Sequence, residues 1–201
     1  MDFFRRAAGK PARLAVLAGT FNPPTRAHLA LARGGLAVAD EVVFVLPRAF
    51  PHKQYEGVGF AERVRMLELA LESDPRCSIA TTATGLFIDI ARECRRAYGD
   101  GTEIYFLCGR DAAERAAHWD YGPPGAFLEQ LREYQLLVAP RGGAWEPPPE
   151  MRDRIHPLAM EADHDEVSAT RVRECIRRGL PWEHLAPASI VELVRQAYGN
   201  N

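Results

Sequence analysis

The sequence predicts an open α/β sheet, mostly parallel, on three observations. Short apolar runs of strand type alternate with helical patterns along the whole chain, the order expected of an α/β fold. The run Leu14–Ala18, a helical stretch from Thr25 and the run Glu41–Pro47 (EVVFVLP) give strand, helix and strand within about 35 residues. That is a βαβ unit with a right-handed crossover. Farther on, Glu103–Cys108 (EIYFLC) runs straight into Gly109-Arg110-Asp111, a second strand-to-helix turn.

The elements then follow in order. The first helix is expected to run from Thr25 into Gly34-Gly35, since paired glycines weaken or end a helix. Arg48–Gly59 reads as a loop. Phe60–Glu72 reads as a helix with a broad apolar face of Val64, Met66, Leu67, Leu69, Ala70 and Leu71. A short strand at Cys77–Thr81, a helix over Leu86–Ala97 with Gly99 as its stop, and the strand at Glu103 come next. Ala112–His118 and Phe127–Glu133 read as helices and Gln135–Ala139 as a strand. Pro140–Pro149 (PRGGAWEPPP) reads as a flexible surface loop. Ile155–Met160 is an edge-type strand. A helix opens at Val167-Ser168-Ala169-Thr170 and reaches Arg178, and Pro187–Tyr198 is the last helix. Met1–Pro11 reads as a loose or weakly helical arm, leaving residues 12–201 as a single domain.

The chain has 201 residues, 47% of them hydrophobic and 26% charged, values typical of a soluble globular protein. A net charge of −2 gives no general attraction to nucleic acid or to a membrane surface, so neither is expected as a partner. No apolar run approaches the ~18 residues of a membrane span. Cys77, Cys94, Cys108 and Cys175 are scattered, without a C-x-x-C pair. Each falls in an apolar pattern, so they read as buried free thiols suited to a reducing cytoplasm. Small-molecule substrates are the partners expected; homo-oligomer formation is left open.

The stretch Ala18-Gly19-Thr20-Phe21-Asn22-Pro23-Pro24-Thr25-Arg26-Ala27-His28-Leu29 joins the first strand to the first helix. Free backbone N–H groups and the positive end of a helix dipole make such a turn a place to hold an anion. Gly19 admits a ligand close to the backbone, and Thr25 is placed as helix N-cap. His28 then lies in the first helical turn. Taken alone, the stretch reads equally well as an ordinary βα turn. Other polar groups are expected at the same rim: His52, Lys53, Arg110, Asp111, Arg141, Ser168, Thr170, Arg171 and Arg173. Ligands of open α/β sheets bind at the carboxyl ends of the strands. The sequence shows no nucleophile elbow, no zinc-ligand spacing and no Walker-type loop. Cations and N–H donors dominate, a set suited to binding phosphate and stabilising a phosphoryl-type transition state. Each has a structural reading beside this one. Lys53 and Arg141 fit solvated loop charges, Asp111 and Ser168 fit helix caps, and Trp119 fits a packing residue.

Taken together, these blocks resemble the nucleotidyltransferase superfamily marked by (H/T)-x-G-H, and within it the bacterial nicotinate mononucleotide adenylyltransferases. Gly19–Pro24 resembles the first-turn motif. Pro51-His52-Lys53 with Arg63-x-x-Met66-Leu67-x-Leu69-Ala70 resembles a second block, and Phe106–Asp111, Trp119 and Leu137–Arg141 a third. Val167-Ser168-Ala169-Thr170-Arg171-Val172-Arg173 resembles the I-S-S-T-x-I-R signature. The match covers roughly residues 14–199. It implies a Rossmann-like open, mostly parallel sheet with helices on both faces and C-terminal helices. It also implies an enzyme of NAD biosynthesis that transfers the adenylyl group of ATP, with Mg²⁺ on the triphosphate, to a pyridine mononucleotide. By resemblance His28, Thr25, Lys53 and Arg173 are catalytic. Gly19, Thr20, Phe21, Asn22, Gly109, Asp111, Arg141, Ser168 and Thr170 bind nucleotide. Phe87, Arg110 and Trp119 bind the acceptor. No residue is assigned to a metal.

Three positions depart from the family pattern. Thr25 stands at the first motif position, where this family usually has His. Ala27 stands where the motif has glycine, and its methyl group is expected to crowd an approaching phosphate. Gly85–Ala91 carries Phe87 and Ile90 in place of hydroxyl residues, which predicts a more apolar acceptor pocket. Two alternatives follow from these departures: a sister nucleotidyltransferase with another acceptor or CTP, and a nucleotide-binding protein without catalysis.

Overall fold

The computed structural model describes residues 1–49, 57–140, 143, 145–160 and 164–199. Strand β1 (Asp2–Arg5) precedes β2 (Arg13–Ala18), α1 (Arg26–Leu36), β3 (Glu41–Pro47), α2 (Phe60–Ala70), β4 (Cys77–Thr82) and α3 (Phe87–Tyr98). Then come β5 (Glu103–Gly109), α4 (Arg110–His118), α5 (Ala126–Gln130), β6 (Gln135–Ala139), β7 (Ile155–Pro157), α6 (Ala169–Arg177) and α7 (Val191–Tyr198). The strands form one sheet in the order β1-β4-β3-β2-β5-β6-β7. β1 pairs antiparallel with β4, and the other pairings are parallel. The mostly parallel α/β sheet read from the sequence is the fold observed.

Every residue of β3 is buried, as expected of a strand covered on both faces. Alternate residues serve the two sides. Val43 and Val45 join Leu14, Val16 and Phe106 beneath α3, α4 and α5. Val42, Phe44 and Leu46 join Ala15 and Leu17 beneath α1 and α2. The C-terminal helices pack on the outer side of α2, where Met66 and Ala70 meet Val172, Cys175, Ile190 and Val194.

From β2 the chain crosses to β3 and β4 on one side of the sheet, then returns to β5, β6 and β7 on the other. The connections leave β2 and β5 in opposite directions, so a crevice opens above their carboxyl ends. That switch point positions the site.

The structure corrects several expectations. The N-terminal residues are not a loose arm: β1 adds to the sheet edge, with Asp2 opposite Thr81 and Phe3 opposite Ala80. Arg5 donates to the carbonyls of Leu71 at 2.5 Å and Asp74 at 2.6 Å. Four residues paired with a strand so distant in sequence leave no local period to read. Gly34 and Gly35 do not end α1, which continues to Leu36. A Cβ on Gly35 would lie 2.6 Å from Leu107 Cδ1, so the glycine is there to let the helix lie close on the sheet. The edge strand is only Ile155–Pro157, and the last helix is split into a 3-10 turn at Ala188–Ile190 and α7. Within the expected surface loop, Trp145 packs against the core.

Candidate active site

The turn after β2 is held from three directions. The guanidinium of Arg63, a buried residue of α2, donates to the Thr20 carbonyl at 2.9 Å. Arg173 of α6 donates to the Asn22 carbonyl at 2.5 Å, and the Tyr198 hydroxyl donates to Asn22 Oδ1. Phe21 adopts φ 48°, a left-handed conformation disfavoured for a bulky residue. Its ring is 1% exposed and packs on Phe44 and against the edge of His28. This packing offsets the backbone strain. Thus Phe21 and Asn22, expected to touch nucleotide, place their side chains in the protein interior. They offer a ligand backbone only.

The N-terminus of α1 closes in a capping box between Thr25 and His28. The Thr25 backbone N–H donates to His28 Nδ1 at 2.9 Å, and Thr25 Oγ1 lies 2.8 Å from the same nitrogen. A backbone N–H can only donate, so Nδ1 accepts and the ring proton is assigned to Nε2. Thr25, expected as a catalytic group, is fully buried, and its hydroxyl meets the His28 ring. Ala27 occupies the second position of α1 and is half-buried. Its helical conformation is one alanine adopts readily, and the turn forms with the methyl group present.

His28 faces a cleft of about 310 Å³ at the carboxyl ends of β2 and β5, the size of a small-molecule site. Ala18 and Gly19 after β2, Leu107, Cys108 and Gly109 at the end of β5, and Leu86 and Phe87 of the α3 entry line it. Along α4, Ala112, Arg115, Ala116 and the capping residue Trp119 face the same space, with Tyr121 beyond them. Phe87 stacks on Phe106 with centroids 4.4 Å apart, and Tyr121 stacks on Phe127 at 5.6 Å. The cleft therefore has rigid aromatic sides, as flat ring recognition requires. Burial pushes the Cys108 thiol up to about 12, which leaves it protonated at neutral pH and unfit as a nucleophile. Burial also raises the Tyr121 phenol.

Other expected residues are placed as follows. Gly19, Gly109, Phe87, His28 and Trp119 line the cleft together. Trp119 is 37% exposed and lies at the cleft, outside the buried core clusters. Ile90 is fully buried in the core, so of the two apolar substitutions only Phe87 shapes the pocket. Arg110 does not line the cleft as an acceptor residue would; its guanidinium bonds Glu114 Oε1 at 2.7 Å, because residues four apart on a helix meet. Asp111 is exposed in the first turn of α4, where a carboxylate complements the helix dipole. Ser168 caps α6, accepting the Arg171 N–H at 3.1 Å. Thr170 Oγ1 accepts from Arg173 at 3.3 Å. His52, Lys53 and Arg141 lie outside the described residues.

Sequence reasoning missed Arg115 and Tyr121. The signal for Arg115 was present: 112, 115, 116 and 119 follow the i, i+3, i+4, i+7 spacing of one helix face. Tyr121 lies beyond the helix and carried no such signal.

The chain shares its family signature with known proteins. A model of the cytidylyltransferase-like family matches residues 16–175. A protein of Solibacter usitatus, named a probable nicotinate-nucleotide adenylyltransferase, is 34% identical over 187 residues, covering 88% of this chain and 96% of that protein. One of Geobacillus kaustophilus with the same name is 31% identical, covering 89% and 81%. A third, of Carboxydothermus hydrogenoformans, is 25% identical, covering 91% and 95%.

Proposed function

This chain belongs to the cytidylyltransferase-like family, among its nicotinate-nucleotide adenylyltransferases, and from that membership we propose that it transfers the adenylyl group of ATP to the 5′-phosphate of nicotinate mononucleotide. The products are a dinucleotide and pyrophosphate, a step of NAD biosynthesis. A phosphate oxygen of the acceptor attacks the α-phosphorus of ATP; the bond from that phosphorus to the bridging oxygen breaks, and pyrophosphate leaves. The observation that carries the reading is the capping box at the rim of the cleft, which directs one N–H donor, His28 Nε2, from a helix N-terminus. Such a donor stabilises charge gathering on the transferring group without a covalent intermediate.

Ser168, Thr170 and Arg173 at the start of α6, with Lys53, hold triphosphate oxygens in this reading, and Arg141 binds the nucleotide. Asp111 lies toward the ribose or base, and Phe87 and Trp119 toward the pyridine ring. Mg²⁺ fits as a companion of the triphosphate. Among the described residues no three His, Cys, Asp or Glu side chains could hold a metal, and Mg²⁺ takes substrate phosphates and waters as ligands. When bound, it would neutralise phosphate charge. Among the described residues no helix is long and apolar enough to cross a membrane. The free thiols of Cys77, Cys94, Cys108 and Cys175 support a cytoplasmic location.

Pyrophosphate release from purified protein tests the reading, with ATP or CTP against nicotinate mononucleotide and other phosphate acceptors. Turnover with ATP and nicotinate mononucleotide is expected; turnover only with CTP or another acceptor refutes the substrate assignment. Ala27→Gly is expected to quicken turnover by opening the phosphate approach, while destabilising α1 by about 0.5–1 kcal/mol. A lower or unchanged rate would show that the methyl group does not obstruct the reaction.

A further inference from the structure

Three distant parts of the chain meet the first turn at Asn22, which is 4% exposed. The Tyr198 hydroxyl, at the end of α7, donates to Asn22 Oδ1. Arg173 of α6 donates to the Asn22 carbonyl. Gly57, four residues past Lys53 in the sequence, lies against the same side-chain amide. A Cβ on Gly57 would fall 2.8 Å from Asn22 Oδ1 and 2.9 Å from its Cγ, and φ +144° there suits glycine. The turn does not set the place of Tyr198. Its helix is anchored by Val194, fully buried in one cluster with Met66 and Ala70 of α2, so the hydroxyl is a fixed point on a rigid element. We propose that Tyr198 is a positioning residue for ATP binding: through the Asn22 amide, with Gly57 against it, Tyr198 holds the first turn in the shape whose backbone meets the nucleotide. This rests on the function proposed above.

The turn needs such a fixed point. Phe21, the preceding residue, stands at φ 48°, a conformation that a bulky side chain keeps only where its surroundings impose it. The Phe21 ring is held by Phe44 and His28, and Asn22 by Tyr198 and Arg173. With one hold gone, the pair relaxes toward ordinary backbone angles, and the backbone that the turn offers a ligand changes direction. His28 is fixed separately, by the Thr25 N–H. The effect therefore falls on nucleotide binding rather than on the chemical step, so KM moves and kcat holds. Phe87 and Trp119 belong to other elements, so the acceptor is little affected.

Tyr198→Phe removes the hydroxyl and keeps the ring in its packing. KM for ATP, and the ATP dissociation constant from calorimetry, are both expected to rise about fivefold to tenfold. In the same variant kcat and KM for nicotinate mononucleotide change less than about twofold. In an Asn22→Ala background the same substitution is expected to add nothing, because a residue acting through Asn22 has lost its partner there. Gly57→Ala drives a methyl group into the Asn22 amide and is expected to weaken ATP binding at least as much. Gly99→Ala is its control: it places a side chain at φ +114° with nothing within 4 Å, so stability falls while KM for ATP holds. Tyr198→Phe protein that binds ATP like the wild type, or whose KM rises equally for both substrates, overturns the proposal. So does a Tyr198→Phe effect undiminished in the Asn22→Ala background. If the double variant does not fold, the two glycine variants decide, and equal effects on ATP binding overturn the proposal. Wild-type protein that binds ATP yet releases no pyrophosphate with nicotinate mononucleotide overturns the adenylyl-transfer reading, while the calorimetric comparison still judges Tyr198.

Discussion

His28→Ala lowers kcat for pyrophosphate release by about 10²–10³, the usual cost of losing one preorganised donor to developing charge. KM for either substrate changes far less, because in the proposed role the bond from Nε2 strengthens as charge develops on the transferring group. The substitution also removes the ring nitrogen that accepts the Thr25 backbone N–H. A lost cap of this kind destabilises by about 0.5–2 kcal/mol, measurable by denaturant titration and too small to unfold the domain. Thr25→Ala separates the two effects. It leaves Nε2 and the backbone N–H bond to Nδ1 in place and removes only the Oγ1 contact, so its rate falls by less than about tenfold, far less than in His28→Ala. Near-normal kcat in His28→Ala would remove the residue from the mechanism.

Arg173→Ala lowers kcat/KM for ATP about 10²-fold and lowers stability together. Its guanidinium joins α6 to the first turn, bonding the Asn22 carbonyl at 2.5 Å and Thr170 Oγ1 at 3.3 Å. Asn22 is 4% exposed, so its carbonyl loses a partner that water replaces poorly, at a cost of about 1–3 kcal/mol. If, as proposed, the same cation also supplies charge to the triphosphate, KM for ATP rises while KM for the acceptor is little changed. Arg173→Lys keeps the charge and loses the fork. It recovers part of the ATP affinity and little of the stability. Lost stability with an unaltered KM for ATP would make Arg173 an anchor of the turn and nothing more.

Most strands and helices were legible because their signals are local. β2, β3, β5 and β6 are apolar runs bounded by turn residues, and α1 begins at a Thr cap where the sequence places one. The start of α6 at Ser168 was equally plain, since its hydroxyl caps its own helix. β1 was not legible: its pairing with β4 depends on residues far along the chain. Its apolar contacts, such as Phe3 edge-on to Tyr98 at 5.7 Å, exist only after the sheet forms. Gly34-Gly35 was misread for a related reason. Glycine within a helix signals weakness when read locally, yet here it accommodates Leu107 and Ala159 from elsewhere in the fold.

The sequence by itself determined the class of this protein. Its alternating periods dictate an α/β sheet, and its ordered motif blocks select phosphate chemistry at the ends of the strands, since backbone conformation and donor type are properties of residues and near neighbours. Only the tertiary structure decided how the parts are used. It turned Phe21 and Asn22 inward and made Thr25 the support of His28. It closed Arg110 onto Glu114 and gave the cleft to Arg115, Trp119 and Tyr121. Which side of a residue meets solvent, ligand or core depends on elements brought together across the sheet, and no local pattern encodes that choice.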